Sequence, residues 1–211
     1  MMNKVAVQTQ RGTRDIWLDA AYEALIDGGV EAVRVMPLAE SLNVSRTSFY
    51  WHFEDREALL NALIVYWREK NTGNLIRQTQ LFAETICEAV LNLFDCWIDP
   101  ELFDARLEFA MRNWSQTSQE LKEIFRATDS ERIQAIRDMF ARFGFDPYQA
   151  DIRASTIYLT QVGYISIKAD EALAQRIRRM PAYVETYTGR APSQSEIDRF
   201  MARHRVRLDG A

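Results

Sequence analysis

Apolar positions in this chain recur every three to four residues, segment after segment, with the period of an amphipathic helix. After a short arm at residues 1–12, Thr13 is placed to cap a helix over residues 14–27. Trp17, Ala20, Ala21, Ala24 and Leu25 share one face of it, and Gly28-Gly29 ends it. Pro37 suits a first helical turn, where a missing N–H costs nothing. Leu38, Ala39 and Leu42 give the next helix a small apolar face. Asn43 tolerates the left-handed conformation that closes a helix, Val44 plugs the turn, and Ser45 is a good N-cap. Phe49 and Phe53, four apart, bury one face of a helix expected over residues 45–53. Asp55 then caps a longer helix with Leu59, Leu60, Leu63, Ile64 and Trp67 on one side.

Asn71, Thr72, Gly73 and Asn74 weaken the pattern and mark a boundary or kink. Beyond it lies a second helical body. Residues 80–99 carry a broad stripe of Phe82, Ile86, Val90, Leu93, Phe94 and Trp97. Pro100 opens the next helix, and a long amphipathic one spans 118–143. Residues 148–168 are the most apolar, which predicts a helix buried on both sides. The stretch 169–187 reads as a helix broken at Pro181, and Ser193 opens a last short one. The expected fold is all-α, with domains at 1–67 and 68–211.

Composition agrees. The 211 residues are 47% hydrophobic and 27% charged, with only 8 Gly and 5 Pro, as a soluble helical chain requires. No apolar run approaches the roughly 18 residues of a membrane span, so no membrane is expected as a partner and a cytoplasmic location is. Cys87 and Cys96 read as reduced core thiols. The net charge of −4 argues mildly against nucleic acid. However, the acids gather in the first helix and at Glu54, Asp55 and Glu57, whereas residues 45–53 hold Arg46 and no acid. A small local basic surface is enough to dock DNA.

The stretch PLAESLNVSRTSFYWHFEDREALL is a helix-turn-helix pattern followed by a capped helix. Together with the preceding helix it resembles the N-terminal domain of the TetR family (TetR/AcrR) of bacterial transcriptional repressors. The "YxHF" run of that family stands here as Tyr50-Trp51-His52-Phe53, and its charged "K-E-x-L" start as Arg56-Glu57-Ala58-Leu59. Asn43 replaces the usual turn Gly, and Val35 and Pro37 stand where polar residues often approach phosphates. The resemblance is specific over residues 13–67 and only architectural beyond.

The resemblance implies an N-terminal three-helix DNA-binding domain followed by a C-terminal helical bundle for ligand binding and dimerisation. It implies a homodimer on double-stranded operator DNA, released by an unknown small-molecule effector, apolar or aromatic in character. Candidate DNA contacts are Ser45, Arg46, Thr47, Ser48, Tyr50, Trp51, His52 and Arg56, because the start of such a helix enters the major groove. Arg46 can give a bidentate contact to guanine, and Arg56 sits in a first helical turn that favours phosphate. Candidate ligand contacts are Trp97, Phe103, Arg106, Phe109, Arg112, Asn113, Trp114, Tyr158 and Gln161, aromatics and polar residues that interrupt apolar helices. Candidate dimer contacts are Ile157, Val162, Gly163 and Tyr164, where a small residue permits close approach.

Enzyme readings are weak. A di-iron bundle needs Glu-x-x-His pairs, but three residues before His52 and His204 stand Phe49 and Met201. HExxH, P-loop and GxSxG patterns are missing from the sequence. No cofactor and no metal is expected. The remaining alternative is a helical protein-interaction module with a vestigial helix-turn-helix and no specific operator.

Overall fold

The computed structural model describes the backbone of residues 2–208 and the side chains of residues 14–204. It is all helical, with no strand among the described residues. Two compact units divide it. One comprises residues 1–69 and 106–122, the other 70–105 and 123–211.

The first unit begins with α1, Met2–Gly28. The helical backbone therefore runs through the segment expected to be an arm, and Thr13 lies inside the helix instead of capping it. No Pro interrupts residues 2–28, so nothing local stops the helix from starting early. Trp17, Ala21 and Leu25, one turn apart, are fully buried. Gly29, at φ 72°, ends the helix as expected and leads into a 3₁₀ turn, Val30–Ala32.

Next come α2, Val35–Ser41, and α3, Arg46–Phe49. The turn between them is a Schellman closure. The Val44 N–H donates to the Ala39 carbonyl at 3.0 Å and the Asn43 N–H to the Glu40 carbonyl at 3.1 Å, with Asn43 at φ 53°. Ser45 caps α3 by accepting from the Ser48 N–H at 3.3 Å. The helix expected over 45–53 is shorter than the sequence pattern suggests. After Phe49 the chain continues in hydrogen-bonded turns, with the His52 and Phe53 N–H groups donating to the Phe49 carbonyl at 2.9 and 3.0 Å.

Asp55 caps α4, Arg56–Trp67, by accepting from the Ala58 N–H at 2.8 Å. Residues 106–122 complete this unit, so the chain does not divide at a single cut near residue 67. A buried polar contact gives a physical reason. Glu108, fully buried on a helix spanning Ala105–Ser115, accepts from Trp67 Nε1 at 2.6 Å and from Arg112 Nε at 3.0 Å. A buried carboxylate must keep such partners close.

In the second unit, a π-helical stretch, Arg68–Gly73, leads into α5, Asn74–Gln80. This change of helix type falls where a boundary or kink was expected, at Asn71–Asn74. Those polar residues are also structural: Asn71 exchanges two hydrogen bonds with the Asp104 backbone, at 3.0 and 2.9 Å, and Asn74 donates to the Leu102 carbonyl at 2.7 Å. α6 is Ile86–Ile98, capped by Thr85. It starts later than the expected residue 80, and Phe82 is 85% exposed in the preceding loop. The Ala105–Ser115 helix is α7, followed by α8, Gln119–Arg142, α9, Pro147–Ser166, α10, Leu173–Thr188, and α11, Gln194–Leu208. Pro181 lies inside α10 without breaking it.

The helix enclosed on nearly every side is α6, not α9. Every residue of α6 except Glu88 is buried. On α9 the apolar residues split into two stripes. Ala150, Ala154, Ile157, Tyr158 and Ile165 face inward, whereas Ile152 and Leu159 are exposed. Within a single chain, then, one of the two apolar stripes of α9 is left uncovered.

The Asn43 turn can be checked directly. Asn43→Val, which places a β-branched side chain at positive φ, should destabilise the protein by roughly 1–2 kcal/mol, and Asn43→Gly should stay within about 0.5 kcal/mol of wild type. Urea denaturation followed by far-ultraviolet circular dichroism measures both.

Candidate nucleic-acid interface and helical cavity

Short as it is, α3 is held from behind by aromatic packing. Phe49 is fully buried, edge-on to Trp17 at 5.2 Å between ring centroids and stacked on Phe53 at 5.5 Å. The Arg14 guanidinium lies 4.8 Å above the Phe53 ring. Fixing Phe49 and Phe53 inward turns the intervening residues outward.

Ser45, Thr47, Ser48, Trp51 and His52 line one shallow open depression. Trp51 is 77% exposed, an unusual state for so large an apolar ring unless it meets a partner. Arg46 and Tyr50 are exposed beside it and bonded to each other. Arg46 Nη2 and Nε both donate to the Tyr50 hydroxyl, at 2.9 and 3.3 Å. An exposed pair of this kind is weak and open to exchange, so Arg46 can leave Tyr50 for a base or phosphate acceptor. The face offers hydroxyl donors and acceptors, one guanidinium, one imidazole and an indole edge. That set suits groove edges and phosphate oxygens.

Arg56 departs from the sequence reading. Its Nε donates to the Val33 carbonyl at 2.6 Å and its Nη2 to the Val30 carbonyl at 2.7 Å, while Nη1 meets Glu57 at 3.3 Å. The guanidinium is a clamp between the start of α4 and the 3₁₀ turn. Two of its donors are held by carbonyls and a third by a carboxylate.

Residues 18–63 match the family model described as bacterial regulatory proteins, tetR family. Residues 18–63 are thus similar to the N-terminal DNA-binding domain of the TetR family. The tetracycline repressor protein class D of Escherichia coli is 36% identical over 55 residues, which are 26% of this chain and 25% of that protein. The chain thus matches about a quarter of the length of that curated relative. A transcriptional regulator (TerR/AcrR family) from Aquifex aeolicus VF5 superimposes with a TM-score of 0.64 at 16% identity, over 82% of this chain and 98% of the other. A regulator from Mesorhizobium loti MAFF303099, assigned to the same family, gives 0.57 at 14%, over 92% and 96%. Those two likenesses show a shared helical fold over most of the chain.

The second unit contains a cavity of ≈ 40 Å³ among α6, α9 and α10. Its walls include Phe94, Trp97, Tyr164, Arg176, Tyr183 and Tyr187. Of the residues read as ligand contacts, Trp97 and Gln161 line it. The others lie elsewhere. Phe103 and Tyr158 surround the fully buried Arg132, which donates to Thr72 at 2.9 Å and to the Tyr158 hydroxyl at 3.1 Å and lies 5.6 Å from the Phe103 ring. Arg106, Phe109, Arg112, Asn113 and Trp114 belong to the first unit. There Arg106 meets Asp27 at 3.7 Å, Arg112 pairs with Glu108 at 2.9 Å, and Trp114 lines a surface groove with Arg56.

The residues read as dimer contacts also separate. Ile157 is buried, and it and Tyr164 line the cavity from within the unit. Val162 is half-buried and Gly163 exposed. The outward stripe of α9 is Ile152, Leu159, Gly163 and, just past its end, Ile167. Arg176, Met180, Tyr183 and Tyr187 were missed. Their spacing of four, three and four along α10 is one helical face, and a charged residue heading a run of apolar ones was the legible signal.

The two roles of basic residues on α3 and α4 are separable. Arg56→Ala should lower stability by roughly 1–3 kcal/mol, because it removes the side-chain donor of the Val33 carbonyl and one of the two donors of the Val30 carbonyl. Thr47→Ala and Tyr50→Ala should leave the denaturation midpoint within experimental error and weaken DNA binding. Denaturation curves and fluorescence anisotropy on labelled duplex, measured on all three variants, test this.

Proposed function

We propose that this protein is a DNA-binding transcriptional repressor that acts as a homodimer and is released from its operator by a small molecule. The observation that carries the reading is the exposed face of Ser45, Thr47, Ser48, Trp51 and His52, set in place by buried Phe49 within a segment that matches the TetR family. The curated relative over that segment is a tetracycline repressor. That name belongs to the relative; nothing in the cavity of this chain points to tetracycline.

Dimerisation is supported by the exposed apolar stripe of α9. Ile152, Leu159 and Ile167 recur along one line with Gly163 between them, where nothing lies near a built Cβ. A two-fold interface places such a stripe against its own copy. Two reading helices then present themselves to successive major grooves, about 34–36 Å apart on DNA.

Release follows from linkage. A ligand that prefers a different arrangement of α6, α9 and α10 shifts the population of dimer geometries by that preference alone. The chain passes from α4 through the π-helical stretch Arg68–Gly73 into α5, so that segment is the covalent route for the change. The interaction-module alternative gives no role to the exposed series from Arg46 to His52 and is not favoured.

Purified protein should bind the DNA upstream of its own coding sequence more tightly than scrambled DNA of the same composition, and both affinities should fall as salt rises. Electrophoretic mobility shift at two salt concentrations reads this out. Equal binding to both duplexes at each salt would count against a specific operator there.

A further inference from the structure

The effector reading above leaves the chemistry of the ligand open, and the α10 wall of the cavity narrows it. Arg176 is half-buried there, on the same helix face as Met180, Tyr183 and Tyr187. Its guanidinium lies 4.7 Å from the centroid of the Tyr164 ring and makes one hydrogen bond, from Nη2 to the Gln161 side-chain oxygen at 3.2 Å. Among the described residues no carboxylate oxygen lies within ion-pair distance of it. The nearby acid is already engaged, since Glu171 pairs with Arg179 and accepts from the Tyr164 hydroxyl. A guanidinium has five N–H donors in a planar fork, and here only a neutral amide answers it.

A half-buried cation without a direct ion pair is costly, and Glu171 acts on Arg176 only from beyond ion-pair distance. Burial also pulls the Arg176 pKa below its ordinary value, more than Tyr164 and Glu171 hold it up. Arg132 in the same unit shows the contrast. It is fully buried, and Thr72, Tyr158 and the Phe103 ring surround it. Arg176 instead faces a cavity.

The remaining walls are aromatic. Phe94 is tilted against Trp97 at 5.7 Å and against Tyr187 at 6.1 Å, and Tyr183 stacks on Tyr187 at 6.2 Å. Such rings accept another ring edge-on or offset. We propose that the effector is a small aromatic carboxylate, with its carboxylate on the Arg176 fork and its ring among Trp97, Tyr183 and Tyr187. This rests on the effector reading and deepens it.

The cavity volume of ≈ 40 Å³ adds a consequence for regulation. It has room for a few waters and is far below the roughly 300–1,000 Å³ of a ligand site. An aromatic acid enters only if α10 and α9 part. Pro181 removes one backbone N–H from the middle of α10, which leaves the Ile177 carbonyl without its usual helical donor and makes that turn a compliant point. Binding and rearrangement are then one event. That is the differential preference an effector needs.

Titration calorimetry on the full-length protein without DNA tests the assignment. The probes are benzoate, phenylacetate and 3-phenylpropanoate at pH 7, each against its neutral amide. At least one acid should bind about tenfold or more tightly than its amide, the scale of a charge-assisted hydrogen bond. Arg176→Gln should bring acid and amide to equal affinity, Arg176→Lys should keep part of the preference, and Tyr183→Leu should weaken acid and amide together. Acid and amide binding equally to wild type, or none of the three acids binding at millimolar concentration, overturns the proposal. So does an Arg176→Gln variant that remains folded by circular dichroism and retains the acid preference. Because the readout contains no DNA, a failure of operator binding leaves it intact. Acid binding that leaves operator affinity unchanged overturns the assignment of the acid as effector.

Discussion

The face proposed to read DNA depends on one contact, the edge-on packing of Phe49 against Trp17. With 4 residues, α3 is far too short to be stable by its own backbone hydrogen bonds. The Ser45 cap contributes about 0.5–2 kcal/mol. Full burial of a Phe side chain contributes about 1.5–3 kcal/mol, and an aromatic pair adds about 0.5–1.5 kcal/mol. Burial is therefore at least as large as the local terms. It also sets direction: with Phe49 and Phe53 inside, Thr47, Ser48, Trp51 and His52 are left outside. The Asn43 turn fixes where the chain enters, and the Arg56 clamp holds the far side of the unit. Binding chemistry here is a by-product of where two phenyl rings are buried.

What the sequence made legible was local. Gly29, Asn43, Ser45, Asp55 and the Asn71–Asn74 segment all act as their residue types suggest, because caps and turns involve neighbours a few positions away. What was not legible depended on distant partners. Arg56 looked like a phosphate contact because its first-turn position is visible in sequence, but the Val30 and Val33 carbonyls that claim it are not. Arg112 looked like a polar interruption, whereas Glu108, four residues earlier, pairs with it. The apolar density of α9 suggested burial on both sides, but not which stripe the chain itself covers and which it leaves open. The frequency of apolar residues says how much can be buried, not which side is covered.

The buried polar groups of the second unit divide by how well they are answered. Asn71, Asn74 and Arg132 hold loops and helices together, and their donors meet fixed acceptors. Such groups stabilise one arrangement, since any displacement leaves a buried donor unpaired. Arg176 has a single amide acceptor and faces open volume, so it favours no single arrangement of α10. A unit with a rigid polar core and one under-satisfied cation at a small cavity has a fixed frame and a responsive edge. That combination is what coupling a ligand to a dimer geometry requires.

The measurement that bears most directly on the central claim is selection of genomic fragments by the purified protein, followed by footprinting of the bound sites. A dimer with one short reading helix per subunit should protect an inverted repeat whose half-site centres lie about one helical turn apart, or a multiple of it. Enrichment of such sites, lost in the Thr47→Ala variant, agrees with the account. Fragments enriched without inverted symmetry, or enrichment unaltered by Thr47→Ala, would contradict it.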